Sequence, residues 1–344
     1  MTGSFGNRRL HSLDILRGVC ALGVCIYHYC LWVGLDVGKQ LQGVLGLVGT
    51  YGVSIFFVLS GYSLAFAYGR KFGAKIESGV LIGYFRRRIG RLAPLFMLTA
   101  VASVAGKFLL GKAVPNPLDL LLNFSLLFGF VDPANTPVIG GWSIGVELVF
   151  YLIFPVVMAL GRGAWIMLAG SGLLAVWYAV ALQHFPTLAD GWRTYVAPAN
   201  HAVFFIGGIV ICHMAGSRIQ AAGAKAVAVA VIAAFVLIAG SLGASELDLV
   251  TGWRRLLLTM FSLFFVAACA HIDVPARLRG LASILGSASY PIYLLHPLVY
   301  FVAKGRLESL PAVIGLAAVV AGLALVVDKY AEQPMQRRLK NSGW

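Results

Sequence analysis

Apolar runs of span length, separated by short stretches rich in charge, Pro or Gly, recur from one end of the chain to the other. They fall at about 13–34, 43–68, 92–111, 142–161, 164–183, 199–215, 225–243, 255–271, 283–303 and 311–330. A helix needs about 20 mostly apolar residues to cross a bilayer core. The pattern therefore predicts an all-α, polytopic transmembrane helical bundle of about ten spans. Leu118–Val131 is too short to cross comfortably and is expected to form a re-entrant or interfacial helix. Ten spans with ordinary loops occupy the whole chain, so residues 1–344 are expected to form one membrane domain with no appended soluble domain.

Composition narrows the class further. Hydrophobic residues make up 60% and charged residues 12%, with a mean hydropathy of +0.86. Soluble domains carry about 25% charged residues, so water-soluble, disordered and collagen-like classes are excluded. The 27 Lys and Arg against 13 Asp and Glu leave a formal charge of +14. Their placement is asymmetric. The ends of the chain share a side with Arg86, Arg87, Arg88, Arg91 and most other cations. Only Lys39, Lys112, Arg193, Arg254, Arg255, Lys304 and Arg306 lie opposite, and Arg17, Lys107 and Lys329 fall within spans. The positive-inside rule then places both termini in the cytoplasm. The charge reads as topology and headgroup attraction rather than as a nucleic-acid surface. Five cysteines, all in apolar runs, match neither a disulfide framework nor a zinc pattern, so no metal is expected. No cleavable signal peptide is expected either.

Ionisable groups inside spans are costly and mark function by default. Arg17 and His28 in the first span are eleven residues apart. That is about three turns with ~20° of drift, so both share one face about 16 Å apart along the axis. A buried neutral imidazole suits general-base chemistry near neutral pH. The stretch Tyr84–Pro94 carries Arg86, Arg87, Arg88 and Arg91 and reads as a cytoplasmic loop. Its arginines either enforce topology or bind phosphate, for which the guanidinium fork is suited. Glu147 is the one acidic residue deep in a span, with Trp142 and Ser143 before it at the outer interface. An unpaired carboxylate at that depth calls for a partner, and Arg17, His28 and Lys107 are the candidates. Ser60 and Tyr62 follow a hydrophobic run in the second span. His296 lies in a span interrupted by Pro291 and Pro297, where freed backbone groups can line a cavity.

Taken together, these segments resemble the acyltransferase-3 family of membrane acyltransferases. The resemblance rests on Arg17-x10-His28, FFVLSGY at 56–62, RRRIGRLAP at 86–94, WSIGVELVFY at 142–151, SYPIYLLHP at 289–297 and Glu332-Gln-Pro334, and so runs the length of the chain. It implies transfer of an acyl group, usually acetyl, from cytoplasmic acetyl-CoA or another short acyl-CoA to a hydroxyl of an extracytoplasmic exopolysaccharide, lipopolysaccharide or lipid-linked sugar. It also implies a multi-pass protein of the bacterial inner (plasma) membrane. The family's critical residues map onto His28 and Arg17, its Arg-x-Arg onto Arg86 and Arg88, and its span carboxylate onto Glu147. On this reading His28, Arg17 and Glu147 are catalytic, Arg86, Arg88 and Arg91 hold the donor, and Trp142, Ser143, Ser60, Tyr62 and His296 contact substrate. Glu147 either fixes the tautomer of His28 or binds sugar. The expected partners are acyl-CoA, a glycan and the bilayer, with no nucleic acid. A transporter or flippase for a sugar or anionic substrate is the alternative, since such proteins also bury Arg, Glu and His.

Overall fold

A computed structural model of the chain describes residues 9–69, 71–72, 76–215, 243–303 and 307–341. The described residues fold as α1 (His11–Val33), α2 (Lys39–Tyr68), α3 (Ser78–Leu109), α4 (Pro117–Phe124), α5 (Phe128–Val131), α6 (Trp142–Ala159), α7 (Ala164–Ala181), α8 (Trp192–Tyr195), α9 (Pro198–Ala215), α10 (Glu246–Leu249), α11 (Gly252–Ala270), α12 (Arg279–Ala303), α13 (Leu310–Val327) and α14 (Gln333–Asn341). Among them there is no strand. Among the described residues eight helices are long and apolar enough to cross a membrane, so the protein is an all-α polytopic bundle. α12 matches the run expected at 283–303 and is 25 residues long. Its serines, tyrosines, prolines and histidine keep it out of that apolar set. The span expected at 225–243 lies, but for its last residue, outside the described residues.

α1 packs between α2 and α12, and α2 packs along α9. Small residues permit the closest of these approaches. A Cβ at Gly61 would overlap the carbonyl oxygen of Phe205, and one at Gly208 would overlap that of Val58. In lipid, where apolar side chains gain little by leaving their surroundings, such backbone-to-backbone packing is a main source of helix association. The outer faces stay apolar: on α7, Ile166, Leu173 and Trp177 are exposed. Water would not tolerate that girdle, but acyl chains do.

Three expectations are corrected. Tyr84–Pro94 is not a loop. α3 begins at Ser78, runs through all four arginines and continues past Pro94. Arginine is a good helix former, and the helix absorbs the one hydrogen bond that Pro94 forgoes. The span around His296 is likewise continuous, with Pro291 and Pro297 inside α12 rather than interrupting it. Leu118–Val131 is two short helices, α4 and α5, separated where Leu126 adopts φ 60°. The last span passes through a π-helical joint at Asp328–Glu332 into α14, a distortion frequent near functional sites.

Candidate active site

A cavity of about 820 Å³ lies between α1, α2, α3, α6 and α12. α2 lines it with Val53, Phe56, Ser60, Ser63 and Ala67, the three-to-four-residue spacing of one helix face. Ser143, Glu147 and Tyr151 come from α6 at four-residue steps, and Ser289, Tyr290 and Tyr293 from α12. α3 contributes Arg88 and Arg91, three residues apart and hence on one face, and α1 contributes Arg17. Arg86 is two residues from Arg88, about 200° around the helix, and does not line the cavity. Its neighbour Arg87 is exposed and donates to the Tyr68 hydroxyl at 2.9 Å.

Arg17 is held firmly. It pairs with Asp14 at 3.3 Å, donates to Ser63 Oγ at 2.6 Å and reaches the Leu59 carbonyl at 3.4 Å. Arg88 lies over the rings of Tyr68 and Tyr151, each 5.9 Å from its guanidinium carbon. Its buried Nε has no hydrogen-bond partner among the described residues. Leaving a buried cationic donor unmet is costly, and three guanidinium groups face one cavity carboxylate, Glu147. That surplus suits an anionic, phosphate-bearing ligand at the Arg88–Arg91 end.

Glu147 does not pair with the arginines or with His28. Its Oε1 accepts from Ser60 Oγ at 3.0 Å and from the Tyr151 hydroxyl at 2.5 Å. One turn nearer the start of α6, Ser143 Oγ and the Tyr293 hydroxyl lie 2.9 Å apart, and both bond the carbonyl of Gly140. Gly140 has φ 78°, a left-handed backbone that lets the chain turn into α6 with that carbonyl aimed at Tyr293. Trp142 is buried among Phe57, Trp192, Tyr195 and His201 rather than in the cavity. Tyr62 is buried and off the cavity-lining face of α2.

Phe56 and Tyr293 of the cavity lining meet edge to face at 6.3 Å, and the Tyr293 ring lies 5.9 Å from that of His296, which leads to His28. His28 Nδ1 lies 3.0 Å from His296 Nε2. The two imidazoles are nearly coplanar, 6° apart, and Trp32 stacks parallel to both, at 4.9 Å from His28 and 5.7 Å from His296. His296 is fully buried, and the Tyr29 hydroxyl donates to its carbonyl at 2.8 Å. The other nitrogen, His296 Nδ1, faces the Ile292 carbonyl at 3.3 Å.

That carbonyl can only accept, which orders the protons along the pair. In the neutral form His296 carries its proton on Nδ1 and presents Nε2 as an acceptor. His28 must then donate from Nδ1, so its Nε2 keeps a free lone pair. His28 retains an accessible edge, and a neutral imidazole with a bare Nε2 is a proton acceptor.

The sequence-named residues therefore divide. Arg17, Arg88, Arg91, Ser60, Ser143 and Glu147 share the cavity, His28 and His296 pair beyond it, and Arg86, Tyr62 and Trp142 stand aside. Sequence reasoning missed Trp32, Ser63, Tyr151 and Tyr293. Each lies three or four residues from a residue it did name, on the same helix face, and that spacing was the available signal. Among the described residues no group of three His, Cys, Asp or Glu side chains is placed to hold a metal.

Comparison with known proteins adds an independent finding. The acyltransferase domain family matches residues 10–330. The chain is 30% identical over 309 residues to the exopolysaccharide production protein ExoZ of Rhizobium meliloti (strain 1021), covering 85% of this chain and 90% of that one. It is 27% identical over 326 residues to the acyltransferase MdmB of Streptomyces mycarofaciens, covering 85% and 79%. A shorter match, 28% over 166 residues, links it to the O-acetyltransferase OatA of Staphylococcus aureus and covers 45% of this chain and 25% of that one. No solved structure matches.

Proposed function

The chain belongs to the acyltransferase-3 family, and from that premise we propose that it moves an acyl group, acetyl in the first instance, from cytoplasmic acyl-CoA to a hydroxyl of an extracytoplasmic polysaccharide or lipid-linked sugar. That it is an acyltransferase and a multi-pass membrane protein follows from the family and the helices. The family assignment displaces the transporter alternative. One observation carries the finer reading. A single cavity is lined by Arg88, Arg91, Phe56 and Tyr293, and the Tyr293 ring lies 5.9 Å from that of His296, the partner of His28.

The steps follow from the residues. Arg88 and Arg91 hold the phosphates of the donor at the cytoplasmic end, and Arg86, on the other face of α3, helps set topology. The pantetheine arm lies along the α2 face past Ser63 and Ser60. Arg17, fixed by Asp14 and Ser63, steers the arm and lends positive charge as the thioester carbonyl gains negative charge. His28 Nε2 takes the proton of the acceptor hydroxyl as its oxygen attacks the thioester carbon. The carbon–sulfur bond then breaks, and the departing thiolate recovers that proton from His28. His296 holds His28 in the tautomer this requires, the task the sequence had left open to Glu147. Glu147, already bonded to Ser60 and Tyr151, shapes the cavity floor. Both termini are cytoplasmic, and the membrane is the bacterial inner membrane.

The test is transfer of labelled acetyl from acetyl-CoA to membrane-associated glycan, comparing wild type with His28→Ala at matched expression. Label in wild type alone supports the scheme. Label surviving in the variant removes His28 as the base.

A further inference from the structure

The reaction above leaves unused a second hollow at the opposite end of the bundle from Arg88 and Arg91. It is an open hollow of about 800 Å³ lined by Ala134, Asn135, Ala189, Asp190, Trp192 and Arg193. Two loops form it, one leading into α6 and the other into α8. Both are braced. Arg193 Nη2 pairs with Asp132 Oδ2 at 2.9 Å across the gap between them. Asn123 Nδ2 donates to the Asn135 carbonyl at 2.9 Å, and Thr187 Oγ1 donates to Asp190 Oδ2 at 2.7 Å. The walls are therefore preformed, as ligand sites usually are.

Trp192 sets the chemistry. Interfacial tryptophans commonly face lipid, but this one lines a hollow shared with Asn135, Asp190 and Arg193 and is only half-buried. Its ring meets Trp142 edge to face at 5.9 Å and Tyr195 at 5.5 Å, so its orientation is fixed. A rigid aromatic platform beside an amide and a carboxylate is the recognition chemistry of a sugar. The ring's C–H face stacks on the indole, and the planar polar groups take its hydroxyls. Charge separates a glycan from an anionic lipid headgroup. Among the described residues Arg193 is the one cation lining the hollow and is already paired with Asp132, while Asp190 adds a negative charge. A phosphate would be repelled, and a neutral polyol would not. Position completes the argument: Trp142, under Trp192, is followed by Ser143, which lines the cavity where transfer takes place.

We propose that this hollow is an acceptor-side glycan subsite, in which a neutral pyranose ring stacks on Trp192 while Asn135 and Asp190 bind its hydroxyls. This rests on the reading of the acceptor as a glycan. The subsite grips sugar units remote from the reacting hydroxyl, and that binding energy orients the acceptor for attack.

The test is equilibrium binding to the full-length protein in lipid nanodiscs. The probe is short oligosaccharides cut from the host cell's surface polysaccharide, freed of acyl groups by mild alkali and tritiated. Wild type should bind saturably. Trp192→Ala should weaken binding about tenfold or more, and Trp192→Phe much less. Asn135→Ala should weaken it severalfold. Asn135 is exposed, and the structural bonds it makes use its backbone N–H and carbonyl, so this variant decides the matter if Trp192→Ala misfolds. A monodisperse size-exclusion profile with a wild-type thermal midpoint shows that a variant is folded. No saturable binding by wild type, or unchanged binding in folded Trp192→Ala or, where that variant misfolds, in Asn135→Ala, overturns the subsite. Acetyl transfer is measured in parallel. Binding without any transfer to glycan by wild type would sink the proposed reaction and leave the subsite standing.

Discussion

Replacing His296 tests the proton order along the imidazole pair. In wild type His28 donates from Nδ1 to His296 Nε2 over 3.0 Å, in a site where His296 is 0% exposed. His296→Ala removes the acceptor and leaves the buried Nδ1–H unmet, which costs about 1–3 kcal/mol. His28 can escape that cost by moving its proton to Nε2, the nitrogen that must accept from the acceptor hydroxyl. At 1.4 kcal/mol per decade, the productive tautomer falls by about 5- to 150-fold, and kcat should fall with it. The KM for acyl-CoA should not change, because His296 does not line the donor cavity. His296→Gln can place a side-chain carbonyl near the lost Nε2 and should retain activity within about tenfold of wild type. The assay is initial-rate acetyl transfer in nanodiscs across a range of acetyl-CoA, with folded protein quantified by size-exclusion fluorescence. Wild-type kcat in His296→Ala refutes the reasoning. So does a folded His296→Gln as inactive as His296→Ala.

Three further outcomes are expected. Arg88→Ala and Arg91→Ala should each raise the KM for acyl-CoA about tenfold or more, the loss of one charge-assisted contact. Arg86→Ala should change it less than about threefold, and equal effects at all three positions would dissolve the phosphate-clamp assignment. Gly61→Ala should destabilise the protein by about 1–3 kcal/mol, because the added methyl group meets the Phe205 carbonyl. A thermal midpoint within one degree of wild type would show that α2 and α9 do not pack so closely. Cysteine introduced at Lys39 should react with an impermeant maleimide in intact cells without permeabilisation, as the positive-inside assignment of this loop to the outer side requires; labelling only after lysis would invert the topology.

Much was legible from sequence because bilayer physics acts locally. Each backbone group in hydrocarbon must be satisfied within its own segment. Apolar run lengths alone therefore placed α1, α2, α6, α7, α9, α11, α12 and α13 near their observed positions. Boundaries failed where polar residues stay helical. The arginines before Pro94 read as a loop because charge ends a hydropathy run, yet it does not end a helix. Helical spacing alone did not assign roles: Arg17 lines the cavity, while His28, eleven residues on, pairs with His296 outside it.

Sequence by itself thus determined the class, the helices and the chemically unusual residues they carry. Tertiary structure decided who meets whom. Glu147 had three plausible cationic or imidazole partners in the sequence and took none of them, bonding Ser60 and Tyr151 instead. His28 found His296, 268 residues away, with Trp32 stacked across both. Arg88 and Arg91 turned into the cavity while Arg86 turned away, a choice set by how α3 rotates against α6 and α12. Hydropathy is a property of one segment and can be summed along the chain. A hydrogen bond between spans depends on the rotation and depth of two helices at once, and packing against all the others sets both.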